Sequence, residues 1–232
     1  DPTNFSASDR SRDRDKLVRI GLHHAFSTNS DTLLSLIYGK GVYNLSFVDP
    51  GLAAAIQMNA DSYQGEVQHI YRSSFFHAVA GAGYTDVNAD DESKFTMEIP
   101  GLGSRVFESR DDWDMHHSNL YVYTYWNVPK SVTWILGASG DFYRDTKADV
   151  DHDQLNPKIG LSWNLSPSTT LRLAAFRMLN KTLVTSQTVE PTQVAGFNQL
   201  FDDPAGTKSW RYGAAVDQKF RRDLFGGLEL SK

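Results

Sequence analysis

Ten runs of alternating residues, joined by connections that are in turn short and long, constrain this chain more than anything else in its sequence. The runs are 16–26, 31–40, 62–72, 75–85, 114–127, 131–143, 155–164, 169–178, 209–220 and 226–231. A period of two marks a strand with two unlike faces. In "KLVRIGLHHAF", Val18, Ile20, Leu22 and Phe26 share one side, and Arg19, Gly21 and His23 the other. "SVTWILGASGDFY" sets Val132, Trp134, Leu136, Ala138 and Phe142 against Thr133, Gly137, Ser139 and Asp141. The two runs in "NPKIGLSWNLSPSTTLRLAAFRM" fold about "LSPS", with Ile159, Leu161, Trp163, Leu171 and Leu173 on one side and Lys158 and Arg172 on the other. "NLYVYTYWN" is ambiguous, because both of its faces suit an apolar neighbour.

The connections hold 4, 21, 2, 28, 3, 11, 4, 30 and 5 residues in order. An up-and-down transmembrane barrel predicts that alternation, with tight turns at one rim and long loops at the other. A soluble sandwich gives no reason for it. The expected fold is therefore all-β: an antiparallel up-and-down transmembrane β-barrel, of which this chain supplies about ten strands, with short periplasmic turns and long extracellular loops. Residues 1–232 are expected to form one partial barrel domain, with 1–15 a loop or linker and both ends cut from a longer protein.

Composition narrows the alternatives. Only every second residue of a barrel strand faces lipid, so a net charge of −5 and a mean hydropathy of −0.43 fit a barrel as well as a soluble domain. No run approaches the ~18 apolar residues of a membrane helix. The absence of cysteine removes disulfides and thiolate metal sites. No basic run points to nucleic acid.

Aromatic residues cluster at both ends of the runs. Beside the short turns lie Phe26, Phe75, Phe76, Trp126, Trp134, Trp163, Phe220 and Phe225, and near the long connections Tyr38, Tyr84, Phe142, Tyr143, Phe176, Trp210 and Tyr212. Two belts around an aliphatic middle are what membrane interfaces select. Phe26, Trp126, Trp134, Trp163 and Phe220 are the expected membrane-interface residues.

The stretch "PKIGLSWNLSPSTTLRLAAFRML" resembles a hairpin common in the barrels of TonB-dependent outer-membrane receptors, where an aromatic-ended strand turns through a Pro-containing loop into a "TTLR" strand. A long loop and a strand like "WRYGAAVDQKF" follow in such receptors, as they do here. The tract from "TLVTSQ" to "AVDQKF" is also similar to a subgroup whose barrel follows tetratricopeptide repeats. The likeness is best over 114–231 and looser over 15–85. It implies a bacterial outer-membrane location, a role in solute transport or binding, and outer-membrane lipid and a transported ligand as partners. It also implies a plug or tetratricopeptide-repeat region of the same full-length chain as a further partner. No plug and no TonB box can be recognised in these residues, so active uptake does not carry over.

The alternation gives Arg19, His23, Lys158, Arg172, Arg211, Asp217 and Lys219, with Glu229, as lumen-facing candidates. In a wet lumen they set solute selectivity or form an ion-pair ladder along the wall. "DVNADDE" and "DTKADVDHDQ" are expected to be acidic loops, with Asp86, Asp90, Asp149 and Asp151 as weak calcium ligands. Neither has calcium-hand spacing, and adjacent histidines in a strand point apart, so no metal and no cofactor are expected. Loop 179–208 suits ligand contact, or folds as a lid on its own barrel. Nucleophile, base and orienter are nowhere grouped, so no enzyme is expected. Two other readings stay open: a repeat-linked porin exporting a polysaccharide or protein, and a soluble all-β ligand-binding module.

Overall fold

The computed structural model describes residues 9–99, 101–200 and 203–232. Its strands are β1 (Arg10–Ser27), β2 (Ser30–Asp49), β3 (Leu52–Arg72), β4 (Phe76–Ile99), β5 (Gly103–Trp126), β6 (Val132–Asp145), β7 (Val150–Ser166), β8 (Thr169–Leu179), β9 (Gln193–Val194), β10 (Phe197–Asn198), β11 (Lys208–Lys219) and β12 (Phe225–Ser231). Ten form one antiparallel sheet in the order β1-β2-β3-β4-β5-β6-β7-β8-β11-β12, while β9 and β10 make a separate two-stranded hairpin. Each strand of the large sheet pairs with the next one along the chain, as an up-and-down wall requires. β1 and β12 do not pair with each other, so the sheet is open at both edges.

Each expected run matches one of these ten strands to within two residues at its short-turn end, and most of the strands extend further at the other end. Residues 41–61 and 86–113 are not loops: β2 and β3 continue to Asp49 and Leu52, and β4 and β5 to Ile99 and Gly103. "DVNADDE" therefore lies inside β4, and most of "DTKADVDHDQ" lies in β6 and β7 around a turn at 146–149. The Gly, Asn and Asp residues that suggested loops each have a ladder partner, as in Gly41 opposite Ala60, Asn44 opposite Gln57, and Asp90 opposite Asp112. Continuous pairing satisfies their backbone groups, and that outweighs low strand propensity. The reversals are tight. At Pro50-Gly51 the φ of Gly51 is 83°, as the third position of a type II turn demands. Residues 10–15 are likewise strand and not linker, because all of them pair with β2.

The sheet has two faces, and the chain itself covers one of them. The described residues between β8 and β11, 180–200 and 203–207, fold back across what is here named the inner face. There Val194, Ala195 and Phe197 pack with Tyr121, Tyr123, Ile135, Ala174, Phe176 and Ala215. The outer face carries Val18, Ile20, Leu22, Leu36, Val67, Val122, Leu136, Ile159, Leu173 and Val216, all strongly exposed. Aromatics border this aliphatic zone. Phe26, Trp126, Trp134, Trp163 and Phe220 lie near the short turns, and Tyr38, Tyr84, Phe142, Trp210 and Tyr212 lie toward the long hairpins, all exposed. Tyr63 joins this second group, its ring 5.0 Å from that of Tyr38. Tyr143 and Phe176 do not belong to it. Both are 1% exposed on the inner face, where their odd or even position in the strand sends them. Phe225 sits opposite Lys219, in the inner-face register, and also leaves its belt.

Candidate functional site

The inner wall is polar where the folded segment rests on it. Gln64, Glu66 and Gln68 of β3, Asn119 of β5, Ser139 and Asp141 of β6, and Gln154, Asn156 and Lys158 of β7 are all buried. Buried groups of this kind need partners, and the segment supplies many of them from its backbone. Gln64 donates to the Gln187 carbonyl at 2.8 Å and accepts from the Val184 N–H at 2.9 Å. Glu66 accepts from the Val189 N–H at 3.2 Å and from the Thr188 hydroxyl, and Gln68 donates to the Val189 carbonyl. A loop lying against a sheet without ladder bonds thus has its peptide groups paired by amide and carboxylate side chains.

Glu190 is the centre of the contact. Its carboxylate accepts from Lys181 at 2.6 Å, from the Tyr123 hydroxyl at 2.8 Å and from Asn119 at 2.8 Å. Burial works against the Lys181 ammonium, but the Glu190 carboxylate beside it outweighs that effect and raises its pKa. A cavity of about 30 Å³ lies alongside, lined in part by Ser139, Asp141, Lys158, Lys181 and Gln199. That is room for about one water among polar groups. The segment leaves and re-enters the sheet through a narrow neck. The Asn180 N–H donates to the Thr207 carbonyl and the Gly206 N–H to the Asn180 carbonyl, both at 2.8 Å.

The residues singled out from the alternation lie on this inner face in several separate places. Arg19 donates to Thr185 of the segment at 2.7 Å and also to Gln187. His23 meets Asp31 at 3.1 Å. Lys158 is buried, with its ammonium 5.8 Å from the centre of the Tyr123 ring. Arg172 holds Asp217 at 2.6 Å, reaches Glu229 at 3.5 Å and donates to the Ala195 carbonyl at 3.2 Å. Arg211 pairs with Asp203 at 2.9 Å, and Lys219 lies over the Phe225 ring at 5.5 Å. Sequence reasoning did not find Gln64, Glu66, Lys181 or Glu190. The first two lie in a run that was recognised, but their partners are more than 110 residues away. Lys181 and Glu190 lie in a segment with no periodicity.

The acidic candidates do not converge. Asp86 meets His116 at 2.6 Å, Asp90 accepts from Asn59 at 2.9 Å, and Asp151 pairs with Arg144 at 2.7 Å. Asp149 occupies a left-handed turn position with φ 52°. Among the described residues no three such groups are placed to hold a metal ion. Ser139, Asp141 and His117 do come together, at 2.9 Å for both contacts, but with the carboxylate in the middle. Acyl-transfer chemistry needs the imidazole between hydroxyl and acid, and here the serine faces no base.

Comparison with known families accords with the ten-stranded up-and-down wall. The family described as TonB dependent receptor-like, beta-barrel matches residues 1–220. The chain belongs to this family. No curated protein sequence matches it. Among solved structures, this TonB-dependent receptor-like barrel is similar to the siderophore receptor PiuA from Acinetobacter baumannii, with 11% identity and a TM-score of 0.65 over 95% of the chain and 40% of the receptor. It is similar also to the ferric yersiniabactin uptake receptor FyuA from Yersinia pestis, with 11% identity and a TM-score of 0.71 over 98% of the chain and 37% of the receptor. For the ferric citrate transporter FecA the values are 12% and 0.62, over 97% and 35%. The chain thus spans two fifths or less of the length of these receptors, and likeness at such identity establishes the fold.

Proposed function

We propose that the chain forms part of the wall of a bacterial outer-membrane β-barrel whose full-length protein binds or carries a solute. The observation that carries this reading is the division between the two faces. The outer face holds exposed aliphatic side chains between aromatic borders, whereas the inner face carries the buried polar residues, beside an apolar cluster, and is covered by the chain's own segment. From Val18 to Phe26 the outer positions of β1, apolar except for His24, span nine residues, close to the ~9–11 that a tilted strand needs to cross a bilayer. Arg19, His23, Lys158, Arg172, Arg211, Asp217 and Lys219 then point toward the lumen, and Phe26, Trp126, Trp134, Trp163 and Phe220 lie at the periplasmic interface. By their names the receptors it resembles include a siderophore receptor, a ferric yersiniabactin uptake receptor and a ferric citrate transporter, so siderophores and ferric chelates are the first solutes to test. No catalytic step is assigned to the chain.

Cell fractionation of the full-length protein, with gel mobility compared before and after heating, tests the reading. Recovery in the outer membrane with a heat-dependent shift is expected. A soluble protein without a shift would mean that Ile159, Leu161 and Trp163 bury themselves against another protein.

A further inference from the structure

The segment between β8 and β11 sorts its side chains by charge. From 180 to 200 its only charged residues are Lys181 and Glu190. These two are turned to the wall and paired with each other at 2.6 Å. Lys158 and Asp141 of the wall are buried beside them, each 5% exposed. The residues of this stretch that are exposed are Ser186, Gln187, Thr192, Gln193, Gly196 and Asn198. All are uncharged, and all but the glycine carry a hydroxyl or an amide.

The β9–β10 hairpin shows the same division at closer range. Val194 pairs with Phe197, and Gln193 with Asn198. The first pair is buried against the wall, and the second, on the opposite face of the hairpin, is exposed. Two glycines of the wall make the seat. A Cβ at Gly160 would lie 2.9 Å from Val194, and one at Gly213 would collide with the Phe197 ring. Arg172 donates to the Ala195 carbonyl at 3.2 Å and so ties the hairpin turn to Asp217. The seat is deep. From Leu179, next to the neck, to Arg172 is a step of seven residues along β8, about 23 Å. Arg172 is adjacent to Leu171, the ladder partner of Trp163. The hairpin thus holds its amide pair against the inner wall, well below the neck. The open edges play no part in this, because β3, β5 to β8 and β11, which carry the segment, are all interior strands of the sheet.

We infer that the face of this segment turned away from the wall, centred on Gln193 and Asn198, is a contact surface for a neutral, hydroxyl-rich solute of the saccharide class. An amide meets a hydroxyl as donor and as acceptor. Asn198 is already oriented for it. Its Nδ2 donates to the Leu200 carbonyl at 2.7 Å and its Oδ1 accepts from the Leu200 N–H at 3.1 Å, which leaves one N–H and one lone pair for a ligand. The side chains of Thr192 and Gln193 bond to no described residue. A charged chelate meets no opposite charge here, since Lys181 and Glu190 neutralise each other inside the contact. The inference rests on the solute-carrying reading above and names the class of solute.

The test uses the full-length protein against an array of neutral and acidic oligosaccharides, with ferric citrate as the charged comparison. Neutral oligosaccharides are expected to bind, and their affinity should change less than about twofold from low to high salt, because no charge takes part. Gln193→Ala with Asn198→Ala should weaken that binding at least about tenfold. Heat-modifiable mobility and hydrogen exchange over 183–200 should stay as in wild type. Three results overturn the inference: no binding of any neutral oligosaccharide, tighter binding of ferric citrate than of every neutral one, or an affinity that survives the double change. Gln193→Cys gives a second readout, since these 232 residues contain no cysteine. A hydrophilic, uncharged maleimide should label it in the folded protein and block sugar binding. Failure to label would mean that another part of the protein covers this surface, and overturns the inference as well. Should the double change loosen the hairpin, the Gln193→Cys labelling decides. A wild-type protein without outer-membrane recovery fails the barrel reading itself, a different result from a heat-modifiable barrel that binds no neutral sugar.

Discussion

Arg172 and Leu173 are adjacent in sequence and face opposite surroundings. Leu173 is 39% exposed on the outer face, while Arg172 is held on the inner face by Asp217 and the Ala195 carbonyl. Leu173→Arg is expected to cost ~2–4 kcal/mol near the bilayer midplane and to reduce outer-membrane yield. Arg172→Leu should leave yield unchanged and alter the inner surface; equal assembly defects, read by heat-modifiable mobility, would refute the assignment of faces. At Glu190 the expected effect is local. Glu190→Ala leaves Lys181 buried without its partner, and breaking a buried pair costs ~3–5 kcal/mol. Hydrogen exchange should rise across 183–200 and stay slow in β5 and β7. This scale also marks the limit of what the sequence discloses. Alternation alone tells which side Arg19, Lys158 and Arg172 take, because a period of two is local. It is silent on Glu190, whose partners Asn119 and Tyr123 lie about 70 residues earlier and whose own segment has no period.

Among the elements, the hairpins β2–β3 and β4–β5 depart most from expectation. The existence of each strand was legible from its apolar alternation, but its length was not. Beyond the aromatic-bordered apolar band the residues on both faces are largely polar, so nothing enforces apolar alternation there, and the ladder persists with Asn, Asp, Ser and Gly in it. A strand of 24 residues such as β4 is about 80 Å long, and on the reading proposed above the half far from the short turns stands outside the bilayer. The turn at Gly101-Leu102 should therefore be the outermost point of the wall. An epitope inserted between Gly101 and Leu102 is expected to bind antibody on intact cells. The same epitope at Pro167-Ser168, in a short turn, should bind only after the cells are permeabilised. Labelling in the reverse order would invert the orientation proposed here.

For the molecule as a whole, the two open edges govern behaviour in isolation. β1 and β12 present unpaired backbone groups, and such edges recruit other strands. The 232 residues expressed alone are expected to self-associate in detergent, whereas the full-length receptor should run as a single species in size-exclusion chromatography. A monodisperse isolated sheet would mean that its edges find each other. The segment between β8 and β11 has a further consequence at this scale. Because Asn180, Gly206 and Thr207 close its neck, the ladder from Leu179 opposite Lys208 onward is complete without it. The rungs of the wall do not depend on its lining, although wall side chains such as Gln64, Glu66, Asn119 and Tyr123 hold that lining in place. On the solute-binding reading proposed above, mutation can rewrite the segment without disturbing a single rung, so its contacts are free to drift faster than the architecture.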